Sequence, residues 1–280
     1  MSQGVLLFAS NNTKINYVKQ AYFLALRISK YMNLPTSLVT DVDVKSKFPD
    51  YVDAFDNIIF VNNLKHQYAN KRYNDGSVSN RILPFNNGNR ADAYFLTPYD
   101  ETIVMDTDYI VSNNILNNCF CAANDLLLYT DAVHLGIHNG TPEFDRVSDT
   151  SVDFYWATVV FFRKSKINEV FFNLVKHIQE NYMHYRSIYQ FKSNVYRNDF
   201  AFSIAAHIMN GYQQGNFIAK LPGKHFYTID KDVLHSIKDD EITMLMEKAG
   251  RLGEYTLAKT KGLNIHVMNK FSLERAIDNQ

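Results

Sequence analysis

The segment 89–111, NRADAYFLTPYDETIVMDTDYIV, holds two carboxylates, Asp106 and Asp108, one residue apart at the end of an apolar, β-prone run from Thr102 to Met105. In an extended chain, residues two apart project to the same side. A tight turn after Met105 would therefore bring both carboxylates onto one hard divalent cation. A diphosphate arriving with that cation would be held at the strand end, where α/β folds place their ligands. Asp-x-Asp also occurs by chance, and the chain has a second instance, Asp41 and Asp43 in TDVDV. That pair follows a weaker strand; Asp41 could touch a ribose or base, or both could be solvated loop residues.

Other reactive residue types lack a supporting pattern. Cys119 and Cys121 form a C-x-C pair in NNCFCAAN with no second pair to complete a zinc site, so they read as small buried residues beside a strand. His134 and His138 are four apart in VHLGIHNG, but Gly136 between them points to a loop rather than a metal-binding helical face. No glycine-rich phosphate loop of either common pattern occurs, so nucleotide binding would rest on a metal and scattered side chains. The sequon Asn139-Gly140-Thr141 has no bearing on a cytosolic protein.

The 280 residues are 46% hydrophobic and 21% charged, the make-up of an ordinary globular protein with a large core. Lys plus Arg balances Asp plus Glu at 29 each, so no global field favours nucleic acid or an anionic membrane. The apolar stretch in MSQGVLLFAS is short and has no basic lead-in, and no segment approaches the roughly 20 apolar residues of a membrane span, which predicts a cytoplasmic protein.

The elements that must position the carboxylates read as an alternation of strands and helices. Gly4 to Ala9 predicts a buried strand. Tyr17, Ala21, Leu24, Ala25 and Ile28 then share one helical face, and Pro35 ends that helix. Ser37–Thr40 and Asn57–Val61 predict short strands around a helical turn at 45–52. Strand, helix, strand implies a mostly parallel central sheet flanked by helices. Residues 62–89 are Asn-rich and basic and read as a long loop, either a lid or an acceptor-binding element. Further along, Arg90–Leu96 reads as helical, 102–105, 126–129 and 155–162 as strands, and 131–153 as irregular. Helices are expected at 167–185, 199–209 and 241–249, and a strand at 263–267. No repeat or linker interrupts the chain, so one domain is expected, with a donor half at 1–130 and an acceptor half at 131–280.

The run Arg90, Leu96, Thr97, Tyr99, Met105, Asp106, Asp108 and Val111 resembles the donor-site region of glycogenin-like glycosyltransferases of the GT-A fold. There a basic helix residue precedes L-T-x-Y and a strand ending in D-x-D. Ser10, Asn11, Tyr17, Ala21 and Leu24 are similar to the series after that family's first strand, with three extra residues between Asn11 and Tyr17. The resemblance implies a nucleotide-sugar donor, most simply a UDP-sugar, and Mn or Mg. Ser10, Asn11 and Tyr17 would lie near the base, Asp106 near the ribose and metal with Thr107 among the donor-binding residues, and Asp108 directly on the metal. Arg90 would approach the diphosphate or the donor sugar. A third metal ligand is expected near the C-terminus, at His266 in NIHVMNK, with Lys270 meeting the diphosphate; imidazole suits manganese beside carboxylates. Asp199 in RNDFAFS matches a later acidic position that orients the sugar or takes part in catalysis, and it could equally be a helix N-cap. The family's Asn-Ser-Gly-like segment is replaced by Trp156, Ala157 and Thr158, which implies a differently shaped pocket. Tyr155 and Trp156 are candidates for a sugar platform.

The implied reaction moves a hexosyl or pentosyl group to a hydroxyl acceptor. An Asn-, Lys-, Tyr- and Phe-rich composition suits an AT-rich bacterial or phage genome. A DNA glycosyltransferase acting on hydroxymethylated bases is therefore a competing reading, with a basic face of Lys71, Arg72, Arg81, Arg163, Lys164 and Lys166. An apolar strand ending in D-x-D also suits a haloacid-dehalogenase-like phosphatase, and the same fold could serve a non-catalytic nucleotide-sugar-binding protein. Asp108→Ala should abolish transfer and leave folding intact, because it removes a ligand at a surface crevice.

Overall fold

The protein is described here by a computed structural model covering residues 1–62, 69–85, 90–136, 146–147 and 152–280. The first part of the chain contains β1 (Gln3–Ala9), α1 (Tyr17–Met32), β2 (Thr36–Thr40), α2 (Val44–Lys47) and β3 (Asn57–Phe60). These are followed by β4 (Ala69–Asp75), β5 (Ser79–Phe85), α3 (Ala93–Leu96), β6 (Glu101–Met105) and β7 (Tyr109–Ile110). The middle holds β8 (Leu126–Tyr129), β9 (Ala132–His134), β10 (Trp156–Arg163), α4 (Lys166–Glu180), α5 (Tyr182–Tyr189) and α6 (Asn198–Met209). The last part has β11 (Ala219–Lys220), β12 (His225–Thr228), β13 (Val233–Lys238), β14 (Glu241–Glu247), β15 (Tyr255–Lys261), β16 (Ile265–Val267) and α7 (Lys270–Asp278).

Seven strands form the central sheet in the order β11, β8, β10, β6, β1, β2, β3. It is mostly parallel, as expected: β1 runs with β2 and β6, β2 with β3, and β8 with β11, while β10 runs against both β6 and β8. Val5, Leu6 and Leu7 are all fully buried although they alternate in direction, because layers cover both faces of the sheet. The α1 helix starts where Asn16 accepts the Lys19 N–H and stops at Asn33, a left-handed C-cap, two residues before Pro35. Gly4 has a packing reason: a Cβ there would lie 2.4 Å from the Tyr99 ring, whose hydroxyl bonds the Ser37 side chain at 2.8 Å.

Among the described residues, three smaller sheets accompany the central one, one of them the β4–β5 pair. Of the other two, one has the order β7, β16, β12, β9 and one is the antiparallel set β13, β14, β15. The helix expected at 241–249 is instead the central strand β14 of that antiparallel set. Ile242, Met244 and Met246 are buried at a period of two, and ladders to β13 and β15 override the helical propensity of Met, Leu and Glu. The long loop expected at 62–89 is also corrected within the described residues. Residues 69–85 form the hairpin of β4 and β5, turning at Gly76 with φ 77°. Its polar strands bury little more than Tyr73 and Leu83, so alternation was hard to read. Tertiary bonds hold it: Asn74 to Asp230, Ser77 to Tyr255 and Asp75 to Arg275. Short β9 lies in the stretch expected to be irregular, and the helix expected at 167–185 is two helices broken at Asn181. Cys119 is buried as expected, whereas Cys121 is exposed; both are free thiols in a 3-10 turn at Ile115–Cys121. Lys65, His138 and the sequon at Asn139 lie outside the described residues. No helix among the described residues is long and apolar enough to cross a membrane.

Candidate active site

The turn after β6 forms as the Asp-x-Asp reading requires. The Asp106 N–H donates to the Thr158 carbonyl of the neighbouring strand at 2.9 Å, and the Tyr109 N–H donates back to the Asp106 carbonyl at 3.1 Å. This reversal delivers the chain into β7, which pairs antiparallel with β16 so that Tyr109 faces His266. The Val267 N–H then donates to the Asp108 carbonyl at 2.9 Å. The result is one ligand atom from each of Asp106, Asp108 and His266, all within 4.8 Å of one another.

Basic side chains surround the carboxylates. Lys270, the first residue of α7, is directly paired with Asp108, and His266 Nε2 lies 3.1 Å from the same carboxylate oxygen. Asp108 is only 4% exposed. Burial opposes its charge, but Lys270 and His266 outweigh that penalty and hold its carboxyl well below the ordinary range. Asp108 lines a cleft, as expected, but is nearly buried, so its removal would leave Lys270 and His266 facing each other and is expected to cost stability as well. Arg90 is also buried rather than lying on a helix surface. It donates to the Ala157 carbonyl and to the Asp106 carboxylate, bridging β6 to β10. Desolvation lowers its pKa to about 10, against the opposing pull of Asp199 and Asp108, so it remains charged at neutral pH.

These groups open onto a cleft of about 530 Å³ that also holds Ser10, Tyr17, Thr107, Asp199 and Lys270. Ser10 donates to Asp41 at 3.0 Å, so the first aspartate of TDVDV is tied to the cleft edge, whereas Asp43 caps α2 through the Ser46 N–H. Asn11 does not line the cleft; its amide oxygen accepts the Val18 N–H at the start of α1. The Tyr17 hydroxyl is 3.5 Å from that of Tyr73, and burial pushes its phenol pKa well up. Asp199 stands in the first turn of α6 without capping it. Its carboxylate accepts the Ala157 N–H at 2.9 Å and pairs with Arg197 at 2.8 Å. Trp156 lines the cleft but is only 1% exposed, and Tyr155 faces a different cleft.

Sequence reasoning did not assign Lys71, Tyr73, Arg197 or Asp230 to this cleft, where they stand. The basic character of 62–89 was the available signal for Lys71. Lys71 is an exposed residue whose ammonium lies over the rings of Phe85 and Tyr73, 4.9 and 5.5 Å from their centroids. Desolvation, with Lys270 and Arg197 nearby, lowers its pKa to about 8. The proposed basic face is divided. Arg163 pairs with Glu101 at the start of β6 and Lys164 donates to the Thr97 carbonyl, whereas Lys71 lies near Asp108 beyond the opposite end of β6. Behind Asp106, Asp108 and His266, His225 is packed among Tyr109, Tyr129, Trp156 and Tyr227. Burial lowers its pKa far enough to keep it neutral.

No protein-family model and no curated protein matches the chain. Among solved structures, an active-site mutant of LgtC is similar at 10% identity, covering 78% of this chain and 72% of that one, with a TM-score of 0.49. The glycosyltransferase GlyE of Streptococcus pneumoniae TIGR4 is similar at 12% identity over 79% of this chain, with a TM-score of 0.43; this chain spans 45% of the GlyE length. Mouse xyloside xylosyltransferase 1 is similar at 10% identity over 79% of this chain and 85% of that one, with a TM-score of 0.46.

Proposed function

We propose that the protein is a metal-dependent glycosyltransferase of the GT-A type, moving a sugar from a nucleotide-diphosphate donor to a hydroxyl acceptor. The convergence of Asp106, Asp108 and His266 at the end of β6, ringed by Lys270, Arg90 and Lys71, carries this reading. Two carboxylates and an imidazole suit Mn or Mg, with manganese the better match for the nitrogen ligand. When bound, such a cation would stabilise the charge that grows on the departing diphosphate. Asp106, Asp108 and His266 would hold it, and Lys270, now spent on Asp108, would become available to the phosphate oxygens. Arg90 fixes the Asp106 carboxylate and the β10 carbonyls, so it positions the ligands as well as facing the donor. Ser10 and Tyr17 form the wall assigned to the nucleoside, with Thr107 between the two aspartates. Asp199, held by Arg197 and the Ala157 N–H, is the carboxylate assigned to the sugar. The hairpin carrying Lys71 serves as one wall of the donor cleft, and a basic residue there favours a diphosphate.

The test is a thermal-shift and hydrolysis screen against UDP-, GDP-, CMP- and TDP-sugars, each with and without manganese. Stabilisation by one nucleotide class only when manganese is present, with slow release of that nucleotide, is expected. No manganese-dependent response to any donor would refute the assignment.

A further inference from the structure

A second cleft, about 610 Å³, lies between α5, α6 and the segment that leads into β10. Its walls combine the rings of Tyr185, Tyr189, Tyr212 and His207 with the amides of Gln190 and Gln213. Tyr189 and His207 are joined by a 3.0 Å hydrogen bond, and the Tyr212 ring meets His207 edge-on. Among the described residues, no lysine or arginine lines this cleft and Asp153 is its one carboxylate, which argues against a phosphate-bearing ligand. The amides and imidazole argue against a purely apolar one. Aromatic faces beside amide donors and acceptors suit a neutral sugar chain, which offers C–H faces and hydroxyls together.

Tyr212 adds an independent observation. It is 69% exposed, yet its φ is 63°, a left-handed conformation that a bulky L-residue adopts only at an energetic cost. Its N–H donates to the His207 carbonyl, closing the end of α6 beside Gly211, a position at which glycine would serve the fold better. Burial returns little for an exposed ring, so the fold alone does not account for a tyrosine here. The cleft is also coupled to the metal-ligand cluster through α6. Asp199 faces the first cleft, and Ser203 and His207 face the second one and two turns on, roughly 6 and 12 Å further along the helix at its usual rise. Ser203 ties the shared wall together, donating to the Asp199 carbonyl at 2.7 Å and accepting the Tyr155 N–H at 2.8 Å.

We infer that this second cleft binds a neutral oligosaccharide: the part of the acceptor chain remote from the hydroxyl that receives the sugar. The acceptor role rests on the transferase reading. The test screens the full chain and its Tyr212→Gly variant against an array of neutral di- to hexasaccharides, with hits followed by calorimetry. Both proteins are also scored for Tm and for the manganese-dependent shift given by nucleotide sugars. The variant is expected to lose saccharide affinity by about tenfold or more. Its Tm should hold or rise because glycine relieves the left-handed backbone, and its nucleotide shift should be unchanged. Equal saccharide binding by the two proteins, or no binding by the wild type, would overturn the inference and leave a positive nucleotide shift, and the transferase reading, standing. Tyr212-dependent saccharide binding without any manganese-dependent nucleotide response would overturn the transferase reading and the acceptor role together.

Discussion

Replacing Lys270 with methionine removes the ammonium paired with Asp108. Asp108 is 4% exposed and the Lys270 side chain 13% exposed, so the pair is largely desolvated and lacks the screening that makes surface ion pairs nearly neutral. Removing one member of a buried pair costs about 3–5 kcal/mol. His266 still bonds the carboxylate at 3.1 Å, which favours the lower end of that range. At about 2–4 °C per kcal/mol for a chain approaching this size, a 3 kcal/mol loss lowers the metal-free Tm by roughly 6–12 °C. The measurement belongs at pH 7. A carboxylate whose folded pKa is depressed contributes its stability above the unfolded value of about 3.9 and loses it as pH falls through the folded value, so at pH 7 the whole contribution is present. The same substitution frees Asp108 for a divalent ion, so manganese should raise the Tm of Lys270→Met by more than it raises that of the wild type. Differential scanning fluorimetry in EDTA and across a manganese series reads both effects, with Asp108→Asn as the control that should show no manganese shift. An equal or smaller manganese shift in Lys270→Met would refute the competition. An unchanged metal-free Tm would show that the pair is not a desolvated one.

Two further substitutions test the surroundings. Lys71 has a folded pKa of about 8, below its unfolded value, so between about pH 8 and 10 the unfolded chain binds more protons. Wild-type stability should therefore rise across that window relative to Lys71→Met, and parallel pH–stability curves would contradict the placement of the ammonium. Gly4→Ala puts a Cβ 2.4 Å from the Tyr99 ring and should cost about 1–3 kcal/mol in urea unfolding. Tyr99→Leu in the same chain should recover part of that loss, and an unchanged urea midpoint for Gly4→Ala would show that the ring moves aside freely.

The amino-acid sequence specified the local parts of this site. An apolar run ending in two aspartates dictates a strand and a carboxylate-bearing turn, and both are present at β6 and residues 106–109. The periodicity of α1, with Pro35 shortly beyond its end, likewise set the first crossover and hence the parallel pairing of β1 with β2. The tertiary structure settled everything that depends on register between distant segments. His266 becomes a partner of Asp108 because β16 pairs with β7, and Lys270 follows because α7 begins four residues later. Arg90 turns out to be a largely buried bridge to β10, and Asp108 a nearly buried part of the cleft wall, because β10 and α7 supply their partners. The misread segments share one cause. β14 and the β4–β5 hairpin draw their stability from ladders and side-chain bonds to residues far along the chain, and no local window of sequence contains those partners.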